Sequence, residues 1–323
     1  MKPANATDLF NLAAEGNRIA LARAISAIER GDQVGAEISR LAYPSSEIGI
    51  SIGITGSPGA GKSTLTSAII EVVRSKDQEI AVVAIDPSSP FTGGAILGDR
   101  IRTQDHALDD GVYIRSMATR GHLGGLTVAV PEAVRLLSAV GFATTIVETV
   151  GVGQIEIDIV NEADTTVVVV NPGWGDSIQA NKAGLMEIAD VFIINKADRA
   201  GTRETRRDLE SMLDLSAPKE FRPPIIETVA SEKKGVEEAY EAILSHRIWA
   251  DRSGLTATRR RRRRRNEVER IVRATIEAKV AKLVRDGEVD GSFERLDNLT
   301  IDPHTLARTL LDEANLQAER LAI

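Results

Sequence analysis

The sequence contains no cysteine, which excludes disulfides, thiolate nucleophiles and cysteine-ligated zinc and fits a reducing, cytoplasmic setting. Its 4 histidines, His106, His122, His246 and His304, are far apart, which argues against a histidine-built metal cluster. Aromatic residues make up 3%, leaving little for base stacking. Apolar runs are strand-length, and none approaches the roughly 18 residues of a membrane span. The opening MKPANATDLF has no basic start followed by an apolar run, so no secretory leader is expected. Positive charge is also in deficit: 40 Lys plus Arg against 47 Asp plus Glu gives −7, which argues against a generally basic nucleic-acid coat.

The deficit is unevenly spread, because seven consecutive arginines occupy Arg259 to Arg265. The arginines cannot all share one helix face, so packing alone is not expected to explain them. One reading is an anionic or nucleic-acid surface. The other, favoured because no aromatics interleave and the remainder is acidic, is a solvated segment balanced by Glu267, Glu269 and the acidic body. A middle option is contact with acidic surface on a second subunit.

A length of 323 residues allows one large or two modest domains. Residues 1–45 read as helical, with Leu21, Ile25 and Ile28 on one face of a helix capped by Asn17. Residues 46–250 alternate helical patterns with short β-branched runs: 51–55, 80–85, 142–148, 165–170, 191–195 and 225–230. Continuous runs of this kind imply a mostly parallel sheet buried on both faces, an α/β nucleotide-binding class. Residues 251–323 read as a helical extension. Val268, Ile271, Val272, Ile276, Val280, Leu283 and Val284 recur at helical spacing in a helix that follows the arginines and that Gly287 could end, and a second helix is expected from His304 to about Arg320 behind Asp302-Pro303.

Gly56-Ser57-Pro58-Gly59-Ala60-Gly61-Lys62-Ser63-Thr64 satisfies GxxxxGK[ST] between a strand and a helix, the context this motif requires. Its glycines let backbone N–H groups face a phosphate, the helix N-terminus adds positive potential, and Lys62 can reach the β and γ oxygens. Ser63 is positioned to hold Mg²⁺. Asn195-Lys196-Ala197-Asp198 follows a strand at its carboxyl end, where such sheets bind ligands. A carboxylate at Asp198 can accept from the ring N–H and the exocyclic amine of guanine, whereas adenine has no such donor pair. Val229-Ala230-Ser231, after the next strand, is the candidate source of a backbone N–H for the guanine oxygen. Asp86 and Glu148 end two strands and are candidate Mg²⁺ carboxylates, with Asp99 a third in a glycine-rich stretch. Gly151, three residues after Glu148, can let a backbone N–H sense the γ-phosphate. Lys62, Glu148 and Asp99 are the candidates for acting on that phosphate. Val152 stands where many regulatory GTPases carry a water-orienting glutamine, so slow intrinsic hydrolysis is expected.

The segments GSPGAGKST, IDPSSPFTGGAILGDR, IVETVGVGQ and GDSIQANKAGLMEIADVFIINKAD resemble the MeaB/ArgK family, the methylmalonyl-CoA mutase-associated GTPases, from about Ile19 to Leu310. The resemblance implies a P-loop GTPase core, an N-terminal helical piece and a C-terminal helical dimerisation arm, hence a homodimer. It implies GTP or GDP and Mg²⁺ as ligands, with Asp86, Asp99 and Glu148 as metal and switch acids and Asp198 as guanine reader. As a partner it implies an adenosylcobalamin-dependent acyl-CoA mutase, whose cofactor loading such proteins gate and which they protect. An extra switch segment falls on Asn171 to Ile188, headed by Pro172-Gly173-Trp174-Gly175-Asp176. This sequence departs from the family pattern at Arg100, where many members carry Lys, and at the inserted Pro90-Phe91. Two other functions compete: a small-molecule kinase or transport ATPase, the older reading attached to ArgK, and an RNA-binding GTPase resting on the arginines alone. Asp198 with Lys196 discriminates against the first.

Overall fold

The structure, a computed structural model, describes residues 5–45, 48–86, 106, 108–118, 129–149, 163–173, 187–215, 220–285 and 292–309. These form two compact units, one ending at Arg264 and one starting at Arg265.

In the first unit, three helices, α1 (Ala6–Ala14), α2 (Arg18–Arg30) and α3 (Gln33–Ala42), precede the sheet. Each starts on a side-chain cap: Asn5 accepts from Thr7 N at 3.1 Å, Asn17 from Ala20 N at 3.0 Å and Asp32 from Gly35 N at 2.9 Å. The sheet strands are β1 (Ile50–Gly56), β2 (Ile80–Asp86), β3 (Val112–Ala118), β4 (Thr144–Thr149), β5 (Thr165–Val170), β6 (Val191–Asn195) and β7 (Ile225–Thr228), in the order β3-β2-β4-β1-β5-β6-β7. All neighbours are parallel. Helices α4 (Lys62–Arg74), α5 (Ala129–Ala139) and α6 (Thr202–Leu215) lie between strands, and α7 (Val236–Arg252) follows β7.

Strand alternation divides the core. Ile52, Ile54, Ile80, Val82, Val167, Val169 and Ile193 pack with α4 and α7 on one face. Their sequence neighbours Ala81, Val83 and Val147 pack with α1, α2 and α5, and Val168, Val170, Phe192 and Ile194 pack with Leu209 of α6. Each fully buried Ile or Val contributes about 1.5–3 kcal/mol of burial, so strands apolar at every position are stable only when covered on both sides. The N-terminal helices thus share their core with the sheet.

Three expectations need correction. Strand β3 was not foreseen: its VYIRSMA is interrupted by Arg115 and Ser116, and among the described strands it is an edge strand that pairs with β2. The run at 225–230 is a strand only to Thr228, after which Ala230–Glu232 forms a single 3₁₀ turn. The arginines do not precede a helix but lie inside one, α8 (Leu255–Arg285). Nor are all of them solvated, since Arg259, Arg260 and Arg263, one face of that helix, pair with buried Asp164 and Asp190.

In the second unit, α8 continues to Arg285 and α9 (Ser292–Asp297) follows. Val268, Ile271, Val272, Ile276 and Val280 of α8 are exposed. Asp302 caps helical residues 303–309, accepting from His304 N at 2.9 Å and Thr305 N at 3.1 Å, as the Asp302-Pro303 entrance predicts. Residues 286–291 and 310–323, with Gly287 and the expected helix end near Arg320, lie outside the described residues.

Candidate nucleotide site

The site is assembled at the carboxyl ends of β4, β1 and β6, with β5 between the last two. Strand β1 ends at Gly56, whose φ of 133° is available to glycine. A Cβ there would lie 1.9 Å from Val169 O of β5, so the loop can leave the sheet in this direction only from a glycine. Gly61, at φ 91°, then turns the chain into α4.

Lys62 is buried, and its Nζ donates to Gly56 O at 2.8 Å and Ser57 O at 3.1 Å, the carbonyls of its own loop. Ser63 Oγ donates to Glu148 Oε1 at 2.6 Å, joining the first turn of α4 to the end of β4. Glu148 is itself buried, so this carboxylate is held at the loop rather than out in solvent. Beside it Thr149 Oγ1 donates to Thr55 Oγ1 at 3.1 Å. Asp86 ends β2, the strand on the other side of β4. Asp99 and Gly151 lie outside the described residues, as do Val152, Arg100, Pro90, Phe91 and residues 174–186.

The second loop is tied to the first. Asn195 Nδ2 donates to Ala60 O at 2.9 Å, and Lys196 Nζ donates to Gly59 O at 2.7 Å. Asn195 Oδ1 accepts from Ala230 N and Thr228 Oγ1, both at 3.1 Å. Thr228 also accepts from Ala197 N through its carbonyl at 3.0 Å. A single buried amide therefore links the loops after β1, β6 and β7, and Lys196 adopts a left-handed φ of 60° to complete the turn. Asp198 follows and is exposed. Val229 N donates to Lys234 O at 3.0 Å, so two of the three backbone N–H groups considered for the guanine oxygen serve the loop itself.

The geometry thus brings together residues 56–64, Glu148, Asn195, Lys196 and Ala230. Sequence reasoning missed Thr228, whose signal is a threonine at the last position of the neighbouring strand. The loop that would cradle phosphates and the loop that would read a base are one hydrogen-bonded unit.

The model of the methylmalonyl-CoA mutase-associated GTPase MeaB matches residues 21–284. The chain belongs to the MeaB family of GTPases. It is 47% identical over 310 residues to a protein of Pyrococcus abyssi named as a GTPase, covering 95% of this chain and 96% of that one. It is 34% identical over 311 residues to the GTPase ArgK of Escherichia coli, covering 92% of each. A solved structure titled as a LAO/AO transport system kinase matches with a TM-score of 0.68 at 25% identity, covering 98% of this chain and 99% of that one. As a member of the MeaB family the chain is a P-loop GTPase, and the all-parallel sheet with its strand-loop-helix is that fold. No helix among the described residues is long and apolar enough to cross a membrane.

Proposed function

We propose that this MeaB-family GTPase is a guanine-nucleotide switch that gates cofactor loading into an adenosylcobalamin-dependent acyl-CoA mutase and protects it, acting as a homodimer. The observation carrying the nucleotide half is the Asn195 tie between the loop at 195–198 and the phosphate loop, which makes recognition of base and phosphates one event.

In this reading GTP draws Lys62 Nζ from the carbonyls of Gly56 and Ser57 to the β and γ oxygens, exchanging two neutral acceptors for anionic ones. Asp198 accepts from the guanine ring N–H and amine, and the stem of Lys196 lies along the base. Ser63 Oγ and the Glu148 carboxylate form a hard-oxygen pair that suits Mg²⁺, and Asp86 and Asp99 are the further candidate ligands. When bound, the ion neutralises charge on the phosphate oxygens. Hydrolysis is slow, since Val152 offers no hydrogen bond to a water.

The mutase half rests on the family's description as mutase-associated. The homodimer rests on the exposed stripe Val268, Val272, Ile276 and Val280, which a second copy would cover. The transport-kinase title of the solved relative keeps a second reading in view. A titration separates the two: GDP binds tightly and ADP does not compete, whereas equal affinity overturns the guanine assignment. For the mutase, a GTP-dependent change in activity or a co-purified complex is expected, and the absence of any effect on every cobalamin mutase of the source organism overturns it.

A further inference from the structure

The amino-terminal ends of β1, β5 and β6 are gripped by one face of α8. Arg259 forms a bidentate pair with Asp190, Nη1 to Oδ2 at 2.7 Å and Nη2 to Oδ1 at 2.9 Å, and also donates to Asp164 O at 2.8 Å. Arg260 Nη2 donates to Asp164 Oδ2 at 2.6 Å and to Gly49 O at 2.7 Å. Arg263 pairs with Asp164 Oδ1 and donates to Ser51 Oγ at 3.2 Å. Arg247 of α7 completes the cluster at 2.7 Å from Asp164 Oδ2.

Both aspartates are buried and immediately precede a strand, where each also orders the sheet edge. Asp164 Oδ2 accepts from Ser51 N at 3.2 Å and Asp190 Oδ2 from Thr166 N at 2.8 Å. At the opposite ends of these strands β1 runs into the phosphate loop and β6 into 195–198, with β5 between them running into 171–173. Between them the ladder is continuous, from Ile52↔Thr165 to Gly56↔Val169 and from Val167↔Val191 to Val170↔Ile194. Paired, close-packed strands shift as rigid rods rather than stretching. Asp164 and Asp190 are also the points at which the chain re-enters the sheet after segments 150–162 and 171–188.

We propose that Arg259, Arg260 and Arg263 are positioning residues for the nucleotide site, fixing β1, β5 and β6 relative to one another so that nucleotide occupancy and the order of helix turns 255–264 are coupled. The coupling is reciprocal: whatever stabilises those turns tightens the nucleotide, and the converse. The proposal rests on the guanine-nucleotide reading of the site, and its test keeps the two apart.

The test is amide hydrogen exchange on the full chain with and without GDP, with binding titrated in parallel. GDP is expected to slow exchange across 255–264 about fivefold or more and to leave α2 unchanged. Arg259→Lys, which keeps the charge but loses the fork, and Asp190→Asn are expected to abolish most of that slowing. By the same linkage each weakens GDP by a comparable factor. A purely structural role would lower the melting temperature and leave the GDP-dependent difference intact. Saturating GDP with no change at 255–264, or full slowing in both variants, overturns the proposal. No GDP binding by the native chain overturns the nucleotide reading and the coupling with it.

Discussion

Asp198 and Glu148 are both carboxylates of the same site, yet their surroundings assign them different work. Asp198 is exposed, and its role depends on acceptor geometry: an amide at this position offers an N–H₂ where guanine also offers donors. Asp198→Asn is therefore expected to weaken GDP by about 1–3 kcal/mol, or roughly 5- to 150-fold. It should gain affinity for xanthosine diphosphate, whose ring carbonyl can accept from the new amide; competition between the two nucleotides checks this. Glu148 is buried on the Ser63 hydroxyl, so its role depends on charge. Glu148→Gln keeps the shape and removes the anion. It should cut Mg²⁺-dependent GTP hydrolysis about tenfold or more while leaving metal-free GDP binding within about threefold. Equal hydrolysis by the variant would remove Glu148 from the metal set. Asp198 was legible in the sequence because NKAD fixes its neighbours by short spacing, and Glu148, 85 residues from Ser63, because it ends an apolar strand-length run. Thr228 was not, because its partner Asn195 is 33 residues away and only the pairing of β6 with β7 brings them together.

Elements were legible where one physical signal dominated. Strands β1, β2, β4, β5 and β6 are buried on both faces, and apolar runs follow directly from that. Edge strand β3 carries Arg115 in its middle, pairing with Glu29 of α2, so polarity masked it. The arginine run misled in the opposite way. Seven identical charges suggest solvent, yet 259, 260 and 263 lie on one helical face, and their partners Asp164 and Asp190 are 69 or more residues distant. The remaining turns of α8 raise a different matter, since Val268, Val272, Ile276 and Val280 repeat every four residues and stay exposed. These side chains are about half exposed, so covering one is worth roughly 1 kcal/mol per chain, and a stripe shared by two copies can hold a dimer. Ile276→Asp is expected to shift the protein to monomer in sedimentation at micromolar concentration without changing its GDP affinity. An unchanged mass would remove this face from the interface.

For the molecule as a whole, the buried ion cluster makes stability depend on acid. Burial by itself raises the carboxyls of Asp164 and Asp190, but the arginines outweigh it: Arg263, Arg260 and Arg247 hold Asp164 well below the ordinary range, and His246 with Arg259 brings Asp190 down to about 2. A folded value below the unfolded one means that the unfolded chain binds more protons between these values. The stabilisation is therefore complete above about pH 5 and lost as pH falls from about 4 towards 2. Asp32, Asp109 and Asp302 are also lowered, but they are exposed or nearly so and contribute weakly. They are common to the native chain and to Asp190→Asn, as is Asp164, so comparing the two isolates Asp190. The variant leaves the Arg259 fork without its anion and should lose about 3–5 kcal/mol at pH 7. That gap should narrow by about 2 kcal/mol as pH falls from about 4 towards 2, because the native aspartate takes up its proton over that range. Urea midpoints at pH 7, 4 and 2.5 measure it. A gap independent of pH would mean that the charge of Asp190 contributes nothing to stability.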